Sequence, residues 1–182
     1  MADAAERNAQ RSYFRGPLSA FGLGIAIVTA IADQGSKLWL LDVFDLAGRG
    51  RVALFAFLDL VVTWNTGISY GLLQQQGRAG AWALLAFKVA AVVFLWVWLA
   101  RASSRLTAAA LGLIIGGALG NAVDRLHWPG VLDFVLFHIE TAGFSFRWYV
   151  FNLADSAIVA GVVALLYDSV RTGTPQKRPD PG

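Results

Sequence analysis

No cysteine occurs anywhere in the 182 residues. That excludes a disulfide, a thiolate nucleophile and a thiolate metal site. Only two histidines are present, His127 and His138, too few for a histidine-rich metal centre. Charge is scarce too. Asp, Glu, Lys and Arg make up 15% of the chain, against roughly 25% in an ordinary soluble domain. The basic residues form no cluster interleaved with aromatics, so no nucleic-acid partner is expected. What fills the chain is hydrocarbon, with 57% of residues hydrophobic. This composition predicts an integral membrane α-helical protein built as one compact domain.

The apolar residues fall into four runs, at about 18–41, 80–100, 106–123 and 151–167, each near the roughly 20 residues that span a bilayer as a helix. The polar tails are 1–17 and 171–182, which leaves 18–170 as the membrane domain. Ala30-Ile31-Ala32 has the form of a signal-cleavage site. The apolar run resumes at Leu38-Trp39-Leu40-Leu41, however, which predicts one uncleaved helix. Lys88 lies inside the second run and is read as snorkelling or facing the bundle interior. In the third run Gly112, Gly116 and Gly120 repeat on one helix face and permit close helix approach.

Two long connections, 42–79 and 124–150, are too apolar for solvated loops. Val52 to Val62 is β-branched and aromatic and predicts extended chain. Trp64-Asn65-Thr66-Gly67 reads as a turn, and Ile68 to Gly71 as a further extended piece. Phe144, Phe146 and Trp148 alternate as in a strand. Together these predict a small β-structure resting on the membrane. Eight basic residues flank one side of the spans (Arg7, Arg11, Arg15, Arg101, Arg105, Arg171, Lys177, Arg178) and five the other (Arg49, Arg51, Arg78, Arg125, Arg147). The bias places both termini in the cytoplasm and both connections outside.

In that topology Asp33, Asn65, Asn121, Asp124, Arg125, Asp133, Asn152 and Asp155 gather at one depth near the outer face. Ionisable groups beside hydrocarbon are expensive and mark function. Asp133 and Asp155 cannot share a helix face, yet they can meet if 134–150 loops out and back. Two close carboxylates in a dry site share a proton; one then serves as base to a water and the other as acid to the substrate. Plain structural readings stand beside this one. Asn152 and Asp155 have the spacing of a capping box. Asp33 and Lys37 pair along a helix face, Asn121 and Arg125 finish the third helix, and Asp124 pairs with a nearby base. Residue types alone leave these alternatives open.

Four ordered motifs decide between them. Asp33-Gln34-Gly35-Ser36-Lys37 resembles D-x-x-[ST]-K, and Asn65-Thr66-Gly67-Ile68-Ser69-Tyr70 resembles N-x-G-x-x-[FY]. Gly120-Asn121 to Asp124-Arg125, then Val131-Leu132-Asp133-Phe134, resembles G-N-x-x-D-R…V-x-D-F. Phe151-Asn152-Leu153-Ala154-Asp155-Ser156 resembles F-N-x-A-D-[SA]. These are motifs of the lipoprotein signal peptidases (signal peptidase II), and the resemblance covers about residues 18–170. It implies four transmembrane helices with an extracytoplasmic β-cradle and a periplasmic helix. It implies a catalytic pair, Asp133 and Asp155, supported by Asn65, Asn121, Arg125 and Asn152, with Asp33, Lys37 and Asp124 as structural polar residues and no metal or cofactor. The implied substrate is a diacylglyceryl-modified prolipoprotein, cut just before its lipidated cysteine by a monomer among membrane lipids of the bacterial inner membrane. Trp64, Tyr70, Trp148 and Tyr149 are read as substrate clamps or interfacial anchors. Pro129 departs from the family's usual glycine, and Gly130 follows it. The competing classes are a proton-coupled transporter and a non-catalytic scaffold for lipid or signal peptides. The polar residues collect on one side rather than crossing the membrane, which speaks against the transporter.

Overall fold

A computed structural model describes residues 15–66 and 90–173. The elements in chain order are α1 (Ser19–Leu38), continued by a π-helical turn Trp39–Val43; the single turn α2 (Leu46–Arg49); β1 (Val52–Phe55); β2 (Leu58–Asn65); α3 (Ala90–Ala100); α4 (Arg105–His127); β3 (Val131–Thr141); β4 (Phe144–Arg147); and α5 (Leu153–Gly173). Lys88, Tyr70 and the extended piece expected at Ile68 to Gly71 lie outside the described residues. Two described helices are long and apolar enough to cross a membrane, α4 with mean hydropathy 1.8 and Leu153–Arg171 of α5 with 1.6. Their outward side chains, among them Leu119, Val159, Val163 and Leu166, are exposed hydrocarbon, which suits lipid better than water.

Backbone proximity sets the helix packing. The buried residues of α1 are Ser19, Gly22, Ala26, Thr29, Asp33 and Lys37, a single stripe at helical spacing. That stripe meets the glycines of α4. A methyl group added to Gly116 would lie 2.5 Å from the Ala26 carbonyl oxygen, and one on Gly112 would lie 2.5 Å from that of Gly22. Gly117 faces the other way, where an added methyl would lie 2.5 Å from the Ala154 carbonyl oxygen of α5. So α4 is gripped from two sides. Ser104 caps its start, its hydroxyl accepting from the Thr107 N–H at 2.9 Å. At the other end Trp128, extended before Pro129, stops it.

The sheet has the order β1-β2-β3-β4, antiparallel throughout. Leu132 and Phe134 of β3 pack with Leu40 and Leu46, so the sheet is welded to the end of α1. A separate cluster of Leu99, Ala102, Ala108 and Leu111 closes the opposite end.

Three local expectations need correction. Trp64 and Asn65 are not in a turn: they end β2, paired with Leu132 and Val131. The ladder overrides the turn preference of asparagine because it satisfies the backbone on the partner strand. The third helix extends past 123 to His127, so Asp124 and Arg125 sit inside its last turns. The fourth does not stop at about 167 but continues to Gly173. There Asp168 accepts hydrogen bonds from the hydroxyls of Ser104 (2.9 Å) and Thr107, which ties α5 to the start of α4.

The glycine stripe is testable. Gly116→Val forces a side chain into the Ala26 backbone. It is expected to lower stability by about 1–3 kcal/mol, the range for overpacking. Thermal unfolding in detergent micelles would measure it.

Candidate active site

The segment between Asp133 and Asn152 runs out along β3 and back along β4, and its two ends are tied together. The Phe134 and Val135 N–H groups donate to the Phe151 carbonyl at 3.1 and 2.8 Å, and the Phe151 N–H returns to Val135 at 3.0 Å. This closure brings the first turn of α5 beside β3, as the spacing of the two aspartates required.

Asn152, fully buried, then holds both carboxyl groups. Its side-chain amide donates to Asp133 Oδ1 at 2.7 Å, while its backbone N–H donates to Asp155 Oδ2 at 3.2 Å. Its Oδ1 accepts from the Asp155 N–H at 2.9 Å, which completes a reciprocal cap on α5. Asn152 thus caps α5, as its spacing predicts, and also bonds both carboxyl groups. Asn65 donates to Asp133 Oδ2 at 3.2 Å from β2. Asn121 donates to Asp155 Oδ1 at 2.8 Å from α4. Its own Oδ1 accepts from Asn152 Nδ2 at 3.0 Å. Arg125 is exposed and donates to the Asn121 backbone carbonyl at 3.4 Å.

Beneath this cluster lies a second one, without any solvent contact. Lys37 Nζ stands 2.7 Å from Asp33 Oδ2 and 2.7 Å from Asp124 Oδ2, with all three side chains fully buried. The backbone supplies further donors. Asp33 Oδ1 accepts from the Ala154 N–H at 2.9 Å. Asp124 Oδ2 accepts from the Leu132 N–H at 3.0 Å. Gln34, absent from the expected site residues, also joins here. Its amide donates to Asp124 Oδ1 at 2.6 Å, to Asp33 Oδ2 at 3.2 Å and to the Gly120 carbonyl at 3.0 Å. Its position inside the Asp33–Lys37 motif was the one available signal.

Burial pushes the Asp133 carboxyl up from 3.8 to about 6, and the neighbouring Asp155 charge adds to the rise. Donation from Asn65 and Asn152, and the charge of Lys37, oppose it. A proton thus stays on Asp133 well above the ordinary carboxylate range. Asp155 accepts from the Asn121 amide and the Asn152 backbone N–H. Paired carboxyl groups in unlike environments can divide acid and base roles.

The glycine of this turn stands at 130, after Pro129. An added methyl there would lie 2.6 Å from the Asn65 carbonyl oxygen, so glycine is needed at 130, where the turn meets β2. Of the aromatics, Trp64 is partly buried and packs on Trp128, with ring centroids 6.0 Å apart, whereas Trp148 and Tyr149 are exposed. Another cluster escaped the sequence. Buried Asp59 of β2 pairs with Arg51, just before β1, and at 3.0 Å with His138 of β3. Burial alone would raise the Asp59 carboxyl, but these two partners hold it below its ordinary value. Among the described residues no three His, Asp or Glu side chains converge as a metal-ligand set.

The family model of signal peptidase (SPase) II matches residues 25–171. A lipoprotein signal peptidase of Nitrobacter hamburgensis is 60% identical over 148 residues, which is 81% of this chain and 90% of that protein. One from Rhodopseudomonas palustris is 55% identical over 149 residues, 82% of this chain and 91% of that protein. Among solved structures, a bacterial membrane enzyme determined by the in meso method has the same fold, with a TM-score of 0.66 at 21% identity. The match covers 93% of this chain and 99% of that one.

Asn152→Ala removes the cap on α5 and a donor to Asp133. It is expected to lower stability by about 1–2 kcal/mol, as for other lost caps, again measurable by thermal unfolding in micelles.

Proposed function

The chain belongs to the signal peptidase II family, and on that premise we propose that it removes signal peptides from diacylglyceryl-modified prolipoproteins by aspartic catalysis at Asp133 and Asp155. The observation that carries this reading is Asn152, which donates to both carboxyl groups at once. The bond cut is the peptide bond before the lipidated cysteine. Both products leave through the membrane phase from which the substrate entered.

Asp155 takes a proton from the attacking water while Asp133 gives its proton to the scissile carbonyl oxygen. The result is a tetrahedral gem-diol. Collapse of that species breaks the C–N bond. Asp155 passes its proton to the departing cysteine nitrogen, and Asp133 recovers one from the diol hydroxyl. The signal peptide ends in a new carboxyl group, and the pair is back in its starting state. Asn65, Asn121, Asn152 and Arg125 orient the pair and hold the substrate backbone. No metal or organic cofactor takes part. Water exclusion by the lipid strengthens every hydrogen bond within the site.

In this reading four helices span the bacterial inner membrane and both termini are cytoplasmic. The sheet lies at the periplasmic face, close to the scissile bond of a substrate that arrives laterally. The enzyme works as a monomer, with prolipoproteins and lipids as its partners. Exposed Trp148 and Tyr149 anchor in the interface or touch the substrate.

Two measurements test the proposal. Purified wild type should cleave a diacylglyceryl-modified prolipoprotein in the presence of chelator, and Asp133→Asn and Asp155→Asn should both fold without cleaving. Cleavage by either folded variant would sink the pair. The second concerns pH. The proton on Asp133 is lost as pH rises through about 6, so kcat/KM should fall on an alkaline limb there. Bound lipid dries the site further, which should put the limb of kcat at higher pH. Asn65 donates to Asp133 and lowers its proton affinity. Asn65→Ala should therefore move the limb of kcat/KM upward, and a downward or absent shift would refute the assignment of the proton.

A further inference from the structure

Lys37 is surrounded by groups that lead directly to both members of the proposed pair. Through Asp33 it reaches the N–H of Ala154, the residue before Asp155. Through Asp124 it reaches the N–H of Leu132, the residue before Asp133. The two connections are alike in chemistry, each a buried carboxylate shared between the one ammonium and one backbone amide. A third contact runs to Asn121, whose Oδ1 lies 3.4 Å from Lys37 Nζ.

That third contact settles an orientation. An asparagine amide can be turned over with little change of shape, which exchanges its donor and acceptor ends. Turned over, Asn121 would set its oxygen against the Asp155 carboxylate and its NH2 against an ammonium. With Lys37 and the Asn152 amide both on its oxygen, the NH2 group must face Asp155, where it donates at 2.8 Å.

We propose that Lys37 is a positioning residue of the dyad: it clamps Asp33 and Asp124, which place the backbone before each catalytic aspartate, and it holds the Asn121 amide in the orientation that donates to Asp155. This role goes beyond charge compensation within the helix pair, and it rests on the reading of Asp133 and Asp155 as the catalytic pair. Among the described residues the charged groups around that pair are Lys37, Asp33 and Asp124 below it and Arg125 on the exposed turn of α4.

The simple variant Lys37→Met strands two buried carboxylates and is expected to unfold more readily. The informative variant is Lys37→Met/Asp33→Asn. It leaves the net charge of the triad unchanged. The amide oxygen introduced by Asp33→Asn can still accept from the Ala154 N–H, and Asp124 keeps its donors Leu132 and Gln34. The Asn121 contact and the bridge between the two carboxylates are lost. We expect this double variant to fold, to retain KM within about twofold and to lose at least about tenfold in kcat, the pattern of an interaction made in the transition state. Thermal unfolding and steady-state cleavage of a diacylglyceryl-modified prolipoprotein would be measured together, with Asp155→Asn as control. Wild-type kcat in the folded double variant would overturn the proposal. So would failure of that variant to fold, which would make Lys37 an element of the fold alone. Cleavage by Asp155→Asn, or none by wild type, would instead overturn the dyad itself.

Discussion

A lysine buried between two carboxylates is the constraint on which the rest of the site depends. Lys37, Asp33 and Asp124 have no solvent contact, and removing one partner of such a set typically costs about 3–5 kcal/mol. The arrangement is tolerable only because every oxygen finds a donor, and two of the donors belong to the segments that carry Asp133 and Asp155. The polar network and the position of those segments are thus one structure. Loosening either would leave a buried charge unsatisfied.

Close backbone contact makes this burial possible. Gly112 and Gly116 let α4 lie against the backbone of α1, and Gly120 lets it lie against the Asp33 carboxylate itself. A side chain at any of these positions would push the helices apart, admit water or lipid to the triad and weaken its electrostatics. In a membrane, where hydrocarbon surrounds the helices anyway, such packing and buried hydrogen bonds are the principal forces that select one arrangement of helices. The sheet adds a second tether. Phe151 is bridged to β3, and Leu132 and Phe134 are packed on Leu40 and Leu46.

The sequence is legible where chemistry and spacing coincide. The four motifs mark the aspartates, the asparagines and the lysine that the folded chain gathers, and Asp33 does pair with Lys37 at i, i+4. The capping box at Asn152 and Asp155 is legible as well. Less legible are features that depend on a distant partner. Asn65 reads as a turn because asparagine favours turns locally, yet β3 recruits it into a ladder. Asp168 falls beyond the fourth apolar run because it is charged, yet the hydroxyls of Ser104 and Thr107, distant in sequence, bond it to the start of α4. Gln34 is an ordinary polar residue until three acceptors converge on it.

By itself, then, the sequence determined the class of protein, most of its elements and the polar groups that meet in the site. These follow from composition, from period and from motifs that local chemistry makes recognisable. The tertiary structure alone decided which donor faces which oxygen. Asn152 holds both carboxyl groups, Asn121 donates to Asp155 and not the reverse, and Lys37 touches Asp124, which lies far from it along the chain. The physical reason is that hydrogen bonds and ion pairs depend steeply on distance and angle. Those distances are set by helices brought together at their glycines and by a strand closed on Phe151, contacts between residues that no local pattern connects.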